Sequence, residues 1–281
     1  MRLHEIWRYP VKSMVGGTVE SAELSVLGIV GDRHWAVRSQ ELGGIRGAKR
    51  IGDLMKFSAA YTDGTRVQIT LPDGSTVHSD DADVDARIST ALGHRVALES
   101  LPADGNLDHF RRGPGGGGDP VQELRDIFGR EADEPLPDFS AFPPEVVEFE
   151  SPPGTHYDCW PLLVMTTSAV RSLAAALPGS NTDIRRFRPS LVVDTGDDAG
   201  HPEFSWTGRT AVIGGDSGPL IEFLKPCPRC VMTTREVAGG IPADKQVLRH
   251  IVRDLDQNLG VYARITDPGV IRTGDELRFD S

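Results

Sequence analysis

Three cysteines among 281 residues are too few for a disulfide framework, and an odd number cannot pair completely. The count points to a reducing compartment, so the chain is expected to be cytoplasmic. No apolar run approaches the roughly 20 residues of a membrane-spanning helix; WPLLVM is among the longest. The amino terminus, MRLHEIWRYPVK, carries charges where a secretory signal needs an apolar stretch. Neither a signal nor a membrane contact is expected. Basic charge is also short: 30 Lys and Arg stand against 41 Asp and Glu, a net −11. That sign disfavours nucleic acid, whose binding depends on Lys and Arg. The deficit is local, however. Between Asp119 and Glu150, ten Asp and Glu face only Arg125 and Arg130, a net −8. The rest of the chain therefore has room for a basic pocket. The eight histidines show no ligand spacing such as HxxxH, and no internal repeat is found.

What is present reads as short β-branched strands with a few helices. TVESAELSV alternates at strand period, DRHWAVRS reads as a further strand, and RVQITLPDGSTVHSD reads as two strands around Pro72-Asp73-Gly74. DADVDARISTALGH predicts a helix capped by Asp80 or Asp81 and ended by Gly93. After a loosely patterned stretch, WPLLVMTTSAVRSLAAALPG predicts a strand and then a helix capped near Thr167/Ser168. SLVVD, TAVIG and LIEFLK are strands, ADKQVLRHIVRDLDQ is a helix, and VYARITDPGVIRTGDELRF reads as two strands and a turn. Strands outnumber helices without alternating regularly with them. The expected fold class is mainly β, a β-barrel with a few helices (α+β), rather than a doubly wound α/β sheet. The stretch from about 111 to 153 is Gly/Pro-rich and acidic. It contains one short helix, DPVQELRDIFGR, and otherwise reads as a linker or surface excursion, partly disordered and solvated.

Two motifs mislead by spelling. Gly113, Gly115 and Gly118 satisfy GxGxxG, but no strand precedes them and Asp-Pro follows, so a loop is expected rather than a dinucleotide turn. GDSGP, residues 215–219, approximates the nucleophile segment of trypsin-like proteases; without a matching histidine segment it reads as a hairpin turn between TAVI and LIEF. The informative stretch is KPCPRCVMTT, residues 225–234. Cys227 and Cys230 admit several readings: a zinc pair, for which only Cys159 remains as a further thiol; a redox pair, which would open a helix; two buried inert thiols; or a single thiolate ligand to a metal otherwise held by a cofactor. Arg229, and Lys225 behind it, would favour the thiolate. Such a cofactor needs anion-binding anchors. Lys12 and Ser13 in YPVKS, Arg33 in DRHW, Thr167 and Ser168, and Arg185, Arg186, Arg188 and Ser190 in DIRRFRPS are the residue types that bind phosphate.

YPVKS, DRHW, LLVMTTSAV, FRPSLVV and PCPRCVMTT occur in the order found in the MOSC family (molybdenum cofactor sulfurase C-terminal domain). The chain resembles the subgroup with an N-terminal MOSC-associated β-barrel domain, which includes the mitochondrial amidoxime-reducing component and bacterial relatives. The resemblance implies a MOSC-type barrel over residues 106–281 preceded by a β-barrel-like domain over 1–105. It implies Cys230 as the protein ligand to molybdenum and the catalytic residue. Lys12, Ser13, Arg33, Thr167, Ser168, Arg188, Ser190 and Arg229 would hold the molybdopterin. Ser190 stands where relatives often have Asn. The implied activity is an oxidoreductase acting at the N–O bond of small N-hydroxylated substrates, with electrons from an external reductase or ferredoxin-like protein. The alternative is a carrier of the cofactor, or of sulfur as a Cys230 persulfide, without turnover. No pyridoxal phosphate and no iron–sulfur cluster in this chain are expected.

Overall fold

The computed structural model describes residues 1–103, 105–114, 118–140 and 142–280. Its largest sheet has eight strands in the order Leu277–Phe279, Thr210–Ile213, Leu220–Pro228, Asn258–Asp267, Leu162–Thr166, Leu191–Asp194, Arg2–Arg8, Gly17–Val19. The pairing of Leu162–Thr166 with Leu191–Asp194 is parallel, with helix Thr167–Ala176 in the crossover; the other pairings in this sheet are antiparallel. Leu162–Thr166 is buried along its whole length because both its faces are covered. Leu162 and Val164 join a cluster with Ile6, Leu191, Phe223 and Val261, while Met165 faces a second cluster with Leu173, Phe187 and Ile251.

The first hundred residues supply most of another core. The three-stranded sheets Val96–Ser100/Trp35–Ser39/Ile45–Arg46 and Ser58–Asp63/Arg66–Thr70/Thr76–His78 pack with helix Val84–Leu92 around Val37, Leu54, Phe57, Ile69 and Ile88. Met232, Val237 and Ile241 insert into this cluster from the far end of the sequence. The chain therefore leaves the large sheet at Pro228 and enters the other core at Met232, with Cys230 on the corner between them.

The mainly β, α+β expectation agrees with this arrangement of many short strands and, among the described residues, five α-helices. Boundaries differ in places. TVESAELSV is two strands broken at Glu20, and the carboxy-terminal segment holds three strands rather than two. Helix Val84–Leu92 takes Asp83 as its N-cap residue rather than Asp80 or Asp81, and Gly93 ends it in the left-handed conformation. The hairpin turn at GDSGP is present between Thr210–Ile213 and Leu220–Pro228. Of the GxGxxG run, residues 115–117 lie outside the described residues.

The acidic excursion is not a solvated linker where it is described. Helix Pro120–Phe128 starts on its Asp119 cap, and its Glu123 pairs with Arg50. Glu134 is buried and pairs with Arg249 and Arg253 of helix Lys245–Asp254; Glu148 pairs with Arg111, and Glu150 with Arg112. The local charge excess is spent on arginines elsewhere in the fold, which a count along the sequence cannot show.

Candidate functional site

A cavity of about 700 Å³ opens beside the Cys230 corner. Nine Lys and Arg line it against three Asp and Glu, so an anion-attracting pocket exists inside an acidic protein. All three cysteines of the chain line it as well.

Lys12, Ser13, Arg33, Arg188, Ser190, Arg229 and Cys230 are brought together there from segments far apart in sequence. Ser13, Arg33 and Arg188 adopt positive φ, at 71°, 48° and 58°. A non-glycine residue in the left-handed region costs about 1–2 kcal/mol and persists where surrounding contacts dictate it. The contacts are visible. Ser13 Oγ accepts from Ala48 N at 2.8 Å. Arg33 N donates to Tyr9 O at 2.6 Å, and its guanidinium pairs with Asp32 and lies over the Tyr9 ring at 4.6 Å. Arg188 Nη1 donates to Met14 O at 2.5 Å, with its guanidinium over the same Tyr9 ring at 4.3 Å. Burial lowers the Arg188 pKa to about 10, and Arg33 pushes in the same direction. Asp32 is fully engaged, accepting from Tyr9 N and the Tyr157 hydroxyl besides Arg33.

Lys12 Nζ is buried and donates to Asp158 Oδ1 at 2.6 Å and His156 O at 2.7 Å. Lys49 Nζ reaches the other oxygen, Asp158 Oδ2, at 3.0 Å. Burial lowers the Lys12 pKa despite Asp158. For Lys49 burial also works against the charge, but Asp158, Cys230 and Glu150 outweigh it and raise the pKa. Asp158 resists protonation although burial favours it, because both ammonium groups hold its carboxyl well below the usual range.

Cys230 sits at the N-cap of the 3₁₀ turn Val231–Thr234, partly exposed to the cavity. Its carbonyl accepts from the Thr233 hydroxyl at 3.1 Å. Lys49, Arg130 and Arg229 all lie close enough to Cys230 for a charge on its sulfur to favour their protonated forms, although burial still lowers the Arg130 pKa to about 10. The expectation for Arg229 needs adjusting: its Nη1 contacts Cys227 Sγ at 3.3 Å, and its Nη2 donates to Phe187 O at 2.6 Å. Cys227 is buried, and burial raises its pKa. The Lys225 ammonium lies over the Phe142 ring at 4.2 Å, and its charge works on Cys159, against the rise that burial causes there.

Thr167 and Ser168 stand apart from the rest of the expected set. Neither lines the cavity. The helix cap is Thr166, whose Oγ1 accepts from Ala169 N and donates to buried Glu203 at 2.7 Å. Ser168 bonds Thr166 and Thr195, and Thr167 donates to Asp194. This helix N-terminus faces its own hydroxyl and carboxylate cluster, so it offers the cavity no anion site. Arg185 and Arg186 also fall away from the anchor set as ligand groups. Arg185 pairs with Asp183, and fully buried Arg186 donates to four carbonyls.

Lys49, Asp158, His156 and Arg130 were not singled out in the sequence. His156 Nδ1 faces Arg33 O at 3.0 Å and its Nε2 meets His109 Nε2 at 2.9 Å. Arg130 donates to Arg229 O at 3.0 Å and to Gln257 Oε1. Only their proximity in space marks them; THYDCW and AKR carry no spacing that would.

The sequence matches two family descriptions, the MOSC domain over residues 152–278 and the MOSC N-terminal beta barrel domain over residues 1–110. The chain belongs to the MOSC family. Among curated MOSC relatives, it is 25% identical to mitochondrial amidoxime-reducing component 1 of Homo sapiens, over 97% of this chain and 81% of that protein. It is 24% identical to mitochondrial amidoxime reducing component 2 of Bos taurus over the same shares. Among solved structures, the YuaD protein of Bacillus subtilis aligns with 99% of this chain and 94% of its own, at 10% identity and a TM-score of 0.42. Among the described residues of this MOSC protein, no helix is long and apolar enough to cross a membrane.

Proposed function

We propose that this MOSC protein binds molybdopterin in the Cys230 cavity and reduces N-hydroxylated compounds at the N–O bond. The observation that carries the reading is the convergence of one partly exposed thiol with a buried cationic cluster. The residues fit such a group on chemical grounds. Arg188 Nη2 and Arg229 Nε are buried without partners, as donors awaiting an anionic ligand are. Guanidinium groups suit phosphate bidentately, and a thiolate is a soft-metal ligand. The relatives' names carry the same activity.

In this reading Arg33 and Arg188, held over Tyr9, and Lys12 bind the phosphorylated end. Ser13 and Ser190 line the same wall. Cys230 is the protein ligand to the metal. When bound, the group would take up the substrate oxygen and give two electrons to the N–O bond. Lys49 stays a fixed cation beside Cys230, because Asp158, Cys230 and Glu150 outweigh its burial. Two electrons and two protons convert the N–OH group to N–H plus water, and the electrons come from a separate donor protein. We assign residues 1–105 and 106–281 as the two domains, the first contributing Lys12, Ser13, Arg33 and Lys49 and the second Arg188, Ser190 and Cys230.

The test is molybdenum content and benzamidoxime reduction with an artificial reductant, in wild type and Cys230→Ala from a cofactor-producing host. Stoichiometric molybdenum and turnover, both lost in the variant, support the reading. Full molybdenum without turnover of any N-hydroxylated compound would replace it with a carrier role.

A further inference from the structure

Part of the cavity wall carries no charge and is aromatic. Phe128, Phe139, Phe142, Trp160 and Tyr262 all line it. They form a continuous row, with successive ring centroids 5.3, 6.0, 5.2 and 4.9 Å apart and the planes inclined by 34–64°. None belongs to the hydrophobic core; each keeps part of its surface exposed. Inclined rings of this kind leave faces and edges free for another ring. A concave apolar wall with polar groups converging on one end is the usual form of a small-molecule site.

The wall is built and held. Three of its five rings, Phe128, Phe139 and Phe142, come from the acidic excursion of residues 111–153. Glu123 with Arg50 and Glu134 with Arg249 fasten that segment to two other parts of the fold. Lys225 lies over the Phe142 ring. At its inner end the row reaches the thiols: Tyr262 and Cys227 line the cavity together and lie close enough to influence each other's ionisation, three residues before Cys230.

We propose that this aromatic row is the substrate subsite, and that it selects N-hydroxylated compounds with a planar, apolar body over small polar ones. The proposal rests on the N–O reduction reading. The flat body stacks among Phe128, Phe142 and Trp160, which leaves its N–O group directed toward the Cys230 end.

The test compares benzamidoxime with acetamidoxime, which carry the same reacting group on a ring or on a methyl. Binding to the full chain without cofactor, followed by calorimetry, is expected to favour benzamidoxime at least about tenfold. Phe142→Ala and Trp160→Ala are each expected to reduce that ratio below about threefold with little change for acetamidoxime, and Trp160→Phe to restore it. Unchanged thermal unfolding checks that each variant is folded. Affinities within twofold of each other in wild type, or a ratio that survives both alanine variants, would overturn the subsite. The two readings fail separately. If molybdenum-loaded protein reduces both compounds with equal kcat/KM, N–O reduction stands and the subsite falls. If it reduces neither while the ring preference and its loss in the variants hold, the subsite stands and the reduction reading falls.

Discussion

Replacing Arg186 tests whether the Cys230 corner is held from behind. Arg186 is fully buried. Its Nε donates to Asn181 O at 2.7 Å, its Nη1 to Arg235 O at 2.8 Å and Thr233 O at 3.3 Å, and its Nη2 to Pro242 O. Two of these carbonyls flank the end of the 3₁₀ turn that Cys230 caps. Arg186→Met keeps the length and removes the donors. A buried carbonyl left without a partner costs about 1–3 kcal/mol, and four are affected. Relief of the buried guanidinium offsets part of that, since burial lowers the Arg186 pKa. The expected net loss is about 3 kcal/mol. For a chain of this size that lowers Tm by roughly 6–10 °C. Arg186→Lys keeps the charge but cannot fork to four acceptors, so its loss falls between. The assay is calorimetric unfolding together with the alkylation rate of Cys230 read by mass spectrometry. The thiol should react several-fold faster in the methionine variant. A Tm within 2 °C of wild type with an unchanged alkylation rate would refute the reasoning.

Three other outcomes are expected. Arg188→Met, which removes the buried unpartnered donor, should lower molybdenum content by more than tenfold in protein from a cofactor-producing host, whereas Thr167→Ala, outside the cavity, should leave it unchanged; elemental analysis decides. His156, whose pKa burial lowers to about 3, is neutral when folded and takes a proton on unfolding below about pH 6.5. Stability should therefore fall by about 2 kcal/mol between pH 7 and pH 5 from this group, and His156→Gln should flatten that slope in urea titrations at the two pH values. Gly129 has φ 61°, and an added Cβ would meet Leu248 at 2.8 Å and Val231 at 3.3 Å; Gly129→Ala should cost about 1–3 kcal/mol by denaturant titration and disturb the turn after Cys230.

The sequence made much of the β framework legible because strand period and turn chemistry are local properties. The hairpin at Pro72-Asp73-Gly74 and the strand SLVVD fall where they were read. It was less informative where the decisive partner is remote. The cap at Thr166 lies one residue before the expected pair, and that single step turns Thr167 and Ser168 away from the cavity. Helix Pro120–Phe128 was readable from its Asp-Pro start, yet the fixing of its surroundings depends on arginines 73 and 115 positions away in sequence. For the candidate site, YPVKS, FRPS and PCPRC marked Lys12, Arg188 and Cys230 as special. Lys49 and Asp158 carry no motif and are recognisable only once Lys12 is seen between them and His156. The aromatic row could not be foreseen, because Phe128, Phe139 and Phe142 follow no helical or strand period.

The pairing of Arg2–Arg8 with Leu191–Asp194 has a consequence for how the polypeptide is made. Strand Arg2–Arg8 has a neighbour more than 180 residues downstream, and at a synthesis rate of about 5–20 residues per second it waits some ten seconds or more for it. Met1 and Arg2 also bond to residues 277 and 276 at the far end. Until those segments emerge, Leu3 and Ile6 have only the short strand Gly17–Val19 beside them and lack most of the sheet that buries them. Folding is thereby a late event with high contact order, and a fragment carrying only the second half would present Leu191–Asp194 as an open sheet edge.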